Sequence, residues 1–383
     1  MKYIRTYETE EKFLADKDST SRGFRLKPTL YKYSDVDNGI YLELDDPRKH
    51  GDSTYMEITL DSDVEFSFYI SNTLDDTQTT MNCSIDWGDG TVETKTITKD
   101  DKGFKLSHNY KAGSYKIELY GVERDYSVVG DVKNWKSLIS HPSSVKRVIL
   151  GSGIVSIESR TFQNCSSLTS VYIPDSVTRI GYGDTFKNCS SLTSIYIPNT
   201  VKRIEDGIFY SCSSLTSIYI PESVTSIGIN AFYSCSSLTS VYIPESVTSI
   251  KGAAFQSCSS LTSIYISESV TSIEHSAFSG CSSLKSINIP ENVTSIEDYV
   301  FWGCSSFISI NIPENVNSIG KSAFYKCSSL KSISSLNTTA PTLGNDVFTN
   351  LPTNGTLHIK PGATGYDAWL SALPSGWKIV ESL

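Results

Sequence analysis

Long apolar runs are missing from this 383-residue chain. Nowhere do about 18 apolar residues follow one another, so no segment is suited to insert across a bilayer as a helix. Concentrated positive charge is missing as well: 33 Lys and Arg stand against 42 Asp and Glu, the net charge is −9, and no basic block occurs. Phosphate binding needs clustered cations, which argues against nucleic acid and against an anionic membrane surface as partners. The opening stretch, Met1-Lys-Tyr-Ile-Arg-Thr-Tyr-Glu-Thr-Glu-Glu-Lys12, lacks the apolar centre of a secretory signal. No glycine-rich phosphate loop is visible. The histidines, His50, His108, His141, His275 and His358, are scattered. Zinc sites want paired Cys and His at short spacing, so neither a metal nor a cofactor is expected.

What the chain has in abundance is repetition. Eight of its nine cysteines fall at Cys165, Cys189, Cys212, Cys235, Cys258, Cys281, Cys304 and Cys327, with steps of 23 residues after a first step of 24; the ninth is Cys83. The unit reads Cys-Ser-Ser-Leu-Thr-Ser-Ile-Tyr-Ile-Pro-Glu-Ser-Val-Thr-Ser-Ile, then a variable stretch ending in Phe-x-x. A unit this short cannot bury its apolar side chains alone and must stack on its neighbours as one turn of a solenoid. The spacing predicts about eight turns over 142–335, with Val145, Val148, Ile154 and Ile157 in a first turn that lacks the cysteine. Stacked strands lie about 4.8 Å apart, within disulfide reach. The simpler reading is a small buried thiol filling the same corner of every turn.

Before the array the pattern has period two. Val64, Phe66, Phe68 and Ile70 alternate with polar residues, as do Cys83, Ile85 and Trp87, then Leu106, His108 and Tyr110, then Tyr115, Ile117 and Leu119. Such alternation, broken by Gly and Asp turns, predicts a small antiparallel sandwich over 51–125. The expected organisation is therefore an attachment segment at 1–50, the sandwich at 51–125, a connector at 126–141, the solenoid at 142–335 and a C-terminal cap at 336–383. The fold class is mainly β.

Within the unit from Cys212 to Tyr233, the inward set is Leu215, Ile218, Ile220, Val224, Ile227 and Phe232. Ser217 and Tyr219 alternate with the isoleucines and so are expected to face outward. Stacking would align Tyr172, Tyr196, Tyr219, Tyr242 and Tyr265 in one column, continued by Asn288 and Asn311, beside a serine column that includes Ser194, Ser217 and Ser240. Tyrosine offers rigid apolar area and a hydroxyl, which suits sugars and protein surfaces. It is also a good strand former with favourable cross-strand contacts, so a purely architectural column stays open. Tyr210, Tyr233, Trp302 and Tyr325 follow the repeated Phe and form a second candidate surface, with packing against the neighbouring turn as the rival reading. Catalysis would need singular, placed groups. Glu222, Glu245 and Glu268 instead recur in register, which marks architecture, so no enzyme is expected.

Three resemblances add to this. Trp87-Gly88-Asp89-Gly90-Thr91, His108-x-Tyr110 and Gly113-x-Tyr115-x-Ile117-x-Leu119 resemble a PKD-type immunoglobulin-like domain over about 51–125, which implies a spacer or adhesion module. Asp86 and Asp89 are too few for a calcium site and suit turn formation. The repeat Cys-x-x-Leu-x-x-Ile-x-Ile-Pro-x-x-Val-x-x-Ile, with its Ala-Phe, resembles the BspA-like branch of the leucine-rich repeats over about 142–383. The tail Ala340-Pro-Thr-Leu-Gly-Asn-Asp-Val-Phe348, with Leu357-His-Ile-Lys-Pro-Gly362 and Tyr366-x-x-Trp369, resembles that family's terminal cap. That family implies a non-catalytic surface protein binding host-surface or mucosal glycan or protein. Finally, Tyr3-Ile-Arg-Thr-Tyr-Glu-Thr-Glu-Glu-Lys-Phe-Leu-Ala-Asp-Lys-Asp18 and Leu30-Tyr-Lys-Tyr-Ser-Asp-Val-Asp-Asn-Gly-Ile-Tyr41 resemble the leader of structural proteins of phages that infect gut bacteria. This implies a virion surface location, with residues 1–50 contacting other virion proteins. A spacer within the virion, or a bacterial cell-surface or secreted adhesin, is the alternative.

Overall fold

The computed structural model describes residues 54–72, 80–98, 104–120, 126–128, 139–151 and 154–382. The attachment segment expected at 1–50 lies outside them. Period-two alternation sets one apolar row on the inner side of each N-terminal strand. The strands are β1 (Thr54–Leu60), β2 (Val64–Asn72), β3 (Thr80–Asp86), β4 (Val92–Thr98), β5 (Phe104–Tyr110) and β6 (Gly113–Tyr120). β1 pairs antiparallel with β6, β6 with β3, and β3 with β4, while β2 pairs with β5 in a second sheet. Phe66, Cys83, Ile85, Trp87, Leu106 and Ile117 are buried between them.

The Trp87–Thr91 turn is built by its aspartates. Asp86 Oδ1 accepts from the Gly88 N–H at 2.8 Å and Asp89 Oδ1 from the Thr91 N–H at 2.9 Å. A side chain at Gly88, which has φ of +79°, would meet the Lys116 carbonyl oxygen at 2.4 Å, so only glycine fits.

Both sheets run on into the repeat array. β8 (Val145–Ile149) pairs antiparallel with β1 on one side and parallel with Ser170–Tyr172 on the other. β7 (Tyr126–Val128), in the stretch expected as a connector, pairs with β2 and with β9 (Ile154–Ile157), and β9 continues to Arg179–Ile180.

In each turn Leu, both Ile of the first strand, Val, the later Ile, Phe and Cys point inward; in the unit from Cys212 all seven are buried. From Phe162 to Phe348 each repeat phenylalanine stacks on the next, with centroids 5.0 to 6.1 Å apart. The residue before each cysteine takes a left-handed backbone, as at Asn188, Ser211, Ser234, Ser257, Gly280 and Gly303. That explains why Asn, Ser and Gly fill it. Lys326 is an exception, at φ of 60°.

The solenoid has about ten turns rather than eight. Beyond Ser335 the ladder gains Thr356–Ile359 and then Lys378–Glu381, both parallel. A short helix, Asp367–Ala372, seats Trp369 at 5.4 Å on Phe348 and closes the aromatic stack.

Candidate functional site

The first strand of each turn carries the tyrosine column. Ser240–Ile243 pairs in register with Ser263–Ile266, which sets Tyr242 beside Tyr265 with rings 5.0 Å apart and 5° from parallel. Rings stacked in this way cover each other's facing sides, so between them the pair offers solvent its edges and phenol oxygens, and the far face of Tyr265 is left uncovered by a stacked ring. Tyr172, Tyr196, Tyr219 and Tyr242 are half-buried, whereas Tyr265 is 49% exposed. The Tyr196 hydroxyl donates to Asp175 Oδ1 at 3.2 Å. Burial, reinforced by the Asp175 charge, raises the Tyr172 phenol above its usual value.

The serine column differs from its expected place. Ser194 and Ser240 are half-buried, but Ser217 is only 3% exposed. Regular ladder pairing lapses at its turn, leaving an isolated bridge from Ser217 to Ser240. The sheet that carries the two columns is accordingly interrupted.

The corner aromatics pack on one another. Tyr210 and Tyr233 stack at 4.5 Å with Lys187 Nζ 4.6 Å from the Tyr210 ring centroid. Trp302 and Tyr325 lie parallel at 6.2 Å, with Lys326 Nζ 5.3 and 5.5 Å from their centroids. All four rings are half-buried. The corner column also contains Gln256 and Ser279, so its aromatics form two separate pairs, whereas the sheet-face column carries tyrosine in five successive turns.

Much of the Ser and Thr content proves architectural. Thr216, Thr239 and Thr262 hydroxyls each donate to the carbonyl 23 residues earlier, at 3.1 to 3.3 Å. The serines after the cysteines do the same, for example Ser236 to Ser213 at 3.4 Å. A second run of two-residue strands, Arg203–Ile204, Ser226–Ile227, Ser249–Ile250 and Ser272–Ile273, forms another parallel ladder. Two-residue strands carry no alternation to detect; only the regularly spaced Ile, preceded by Arg or Ser, signals them.

Among the described residues no group of three His, Cys, Asp or Glu side chains is placed to hold a metal ion. All nine cysteines are free and buried. None of the described helices is long and apolar enough to cross a membrane.

Residues 139–262 and 248–361 match the BspA type leucine rich repeat region, in six copies. No curated protein matches the chain. A leucine-rich repeat protein from Bacteroides ovatus is 28% identical over 66% of this chain and 74% of its own, with a TM-score of 0.47. The T. pallidum leucine rich repeat protein is 30% identical over 48% and 77%, with a TM-score of 0.37. A leucine rich cell surface protein from Faecalibacterium prausnitzii is 26% identical over 57% and 84%, with a TM-score of 0.28. The repeat match spans more than half of the chain, and the protein belongs to the BspA type leucine-rich repeat family.

Proposed function

We propose that this chain is a non-catalytic adhesion protein that recognises a host-surface or mucosal glycan or protein through its repeat array. The observation that carries the reading is the in-register, outward Tyr242–Tyr265 pair on a face with few charges. A row of phenol edges at strand spacing suits an extended ligand that exchanges hydrogen bonds with successive hydroxyls. Family membership favours display on a bacterial cell surface. The virion reading rests on residues 1–50, outside the described residues, and draws no support from the repeats. The sandwich, with its PKD-like turn, would serve as a spacer holding the array outward.

Replacing Tyr196, Tyr219 and Tyr242 together by Ser tests this. Each aromatic anchor at a hot spot is worth about 1 kcal/mol or more, so attachment of the purified chain to epithelial cells should fall by well over tenfold. Undiminished attachment by a folded triple variant would reject the face. A wild-type chain that attaches to nothing would favour a pure spacer.

A further inference from the structure

We infer that the seam between the turns of Cys258 and Cys281 is a subsite for one acidic sugar residue, stacked on the free face of Tyr265 and met by Asn288 and Lys285. The inference rests on the recognition role proposed above and assigns it a place and a ligand class.

Four observations meet at this seam. First, the tyrosine column ends here: one face of Tyr265 is covered by Tyr242, and the next turn carries Asn288 where a ring would otherwise follow. Tyr265 is correspondingly 49% exposed, while the earlier tyrosines of the column are half-buried. Second, both sheets open at the same place. Ser263–Ile266 has no ladder partner in the following turn, and Ser272–Ile273 is the last strand of its sheet before a new one starts at Ser295–Ile296. Beneath it Ile273 on one turn and Ile289, Val293 and Ile296 on the next are buried in the core. Turn-to-turn hydrogen bonds persist at the phenylalanine corner, where the Phe278 N–H donates to the Val300 carbonyl at 3.0 Å. At this seam the ladder pairing thus lapses on the sheet side while the corner bonds continue.

Third, Asn288 is oriented. Its Nδ2 donates to Glu268 Oε1 at 3.2 Å, and Glu268 is itself held by the Glu291 N–H on Oε2 at 2.9 Å. The Asn288 amide oxygen is left to accept from a ligand hydroxyl. Fourth, the column occupied by Thr169, Thr193, Thr216, Thr239 and Thr262 changes to Lys285 at this very turn. The Lys285 side chain is exposed and makes no ion pair among the described residues.

Along most of the array each column keeps its residue from turn to turn, and repetition is architecture. Here two columns, three positions apart along the strand, change identity in the same turn. One open aromatic face, one fixed amide and one unpaired cation match a sugar ring better than a protein surface: the ring lays its C–H face on the aromatic, its hydroxyls meet the amide, and a carboxylate meets the ammonium. A protein partner would want a wider apolar patch.

The test titrates the full chain with an oligosaccharide of uronic acid residues and with its neutral hexose counterpart, by calorimetry. Three variants each install the residue that the adjacent turn already carries, so the turn is kept: Asn288→Tyr, which lays a ring over Tyr265, Tyr265→Asn and Lys285→Thr. Wild type should bind the acidic oligosaccharide more tightly than the neutral one. Asn288→Tyr and Tyr265→Asn should each weaken it by about tenfold or more, as for loss of a central anchor. Lys285→Thr should bring the acidic affinity down to the neutral one. Failure of wild type to bind the acidic oligosaccharide, or wild-type affinity in Asn288→Tyr, would overturn the subsite. Cell attachment read on the same variants separates the two claims. Attachment that survives all three while the Tyr196, Tyr219 and Tyr242 triple variant loses it removes the subsite alone; attachment absent in wild type removes the recognition role.

Discussion

Each repeat cysteine from Cys189 onward fills its corner as a weak donor. Cys235 Sγ donates to the Phe209 carbonyl at 3.2 Å, and that oxygen also accepts from the Cys212 N–H at 3.1 Å. The same pairing recurs from Cys189 to Cys327. Burial was legible from the residue type and its period, since a small thiol tolerates an apolar corner. The sulfur's carbonyl partner was not, because it lies on the preceding turn, 26 or 27 residues away. Burial pushes the Cys212, Cys281 and Cys327 thiols up to about 12 from 9.0. The folded chain therefore keeps protons that the unfolded chain releases above pH 9. Stability is full below that pH and falls as pH rises from 9 toward 12, by up to about 1.4 kcal/mol per pH unit for each such thiol. Urea midpoints across pH 8 to 11 read this directly, and a flat profile would contradict buried thiols. A second prediction concerns Gly303, at φ of +71°, where an added Cβ would meet only Gly280 Cα, in ordinary contact at 3.9 Å. Gly303→Ala should cost about 1 kcal/mol from backbone strain alone. A melt unchanged from wild type would show that the turn is not held left-handed.

At the level of elements, the strict 23-residue step made the solenoid legible, because a constant period leaves only stacking to bury the inward set. The phenylalanine stack and the first strand follow from it. The second ladder was hidden in two-residue strands, and the seam after Ser263–Ile266 is a property of pairing, which no single turn encodes. Of the candidate site, the tyrosine column was legible from alternation. Its edge-on presentation was not, because that depends on how neighbouring rings settle against each other, and Ser217 was misplaced where the ladder lapses. Phe255 lies inside the stack, 5.0 Å from Phe232 and 5.6 Å from Phe278. Phe255→Ala should cost about 3–5 kcal/mol, because flanking turns locked by backbone ladders cannot collapse into the gap. Chemical denaturation gives the value, and a loss under 1 kcal/mol would mean the stack bears little of the core.

For the whole molecule, the chief departure from the expected plan is continuity. Period-two strands and a 23-residue repeat look like separate modules in sequence, yet β8 joins the array to β1, with Tyr55 opposite Ile149 and Met56 opposite Val148. The Gly151 N–H adds a hydrogen bond to Thr54 Oγ1 at 3.0 Å. Strand pairing of this kind makes the sandwich the N-terminal cap of the solenoid, covering an edge that would otherwise be open to association. Calorimetry of the full chain should accordingly show sandwich and array melting together, and two well-separated transitions would argue for independent modules. The recognition face itself is tested most directly by hydroxyl-radical footprinting of the chain bound to epithelial cells. Tyr196, Tyr219, Tyr242 and Tyr265 should be protected relative to the free chain, with Tyr210, Tyr233, Trp302 and Tyr325 unchanged. Protection of the corner aromatics instead, or of neither set, would contradict recognition by this face.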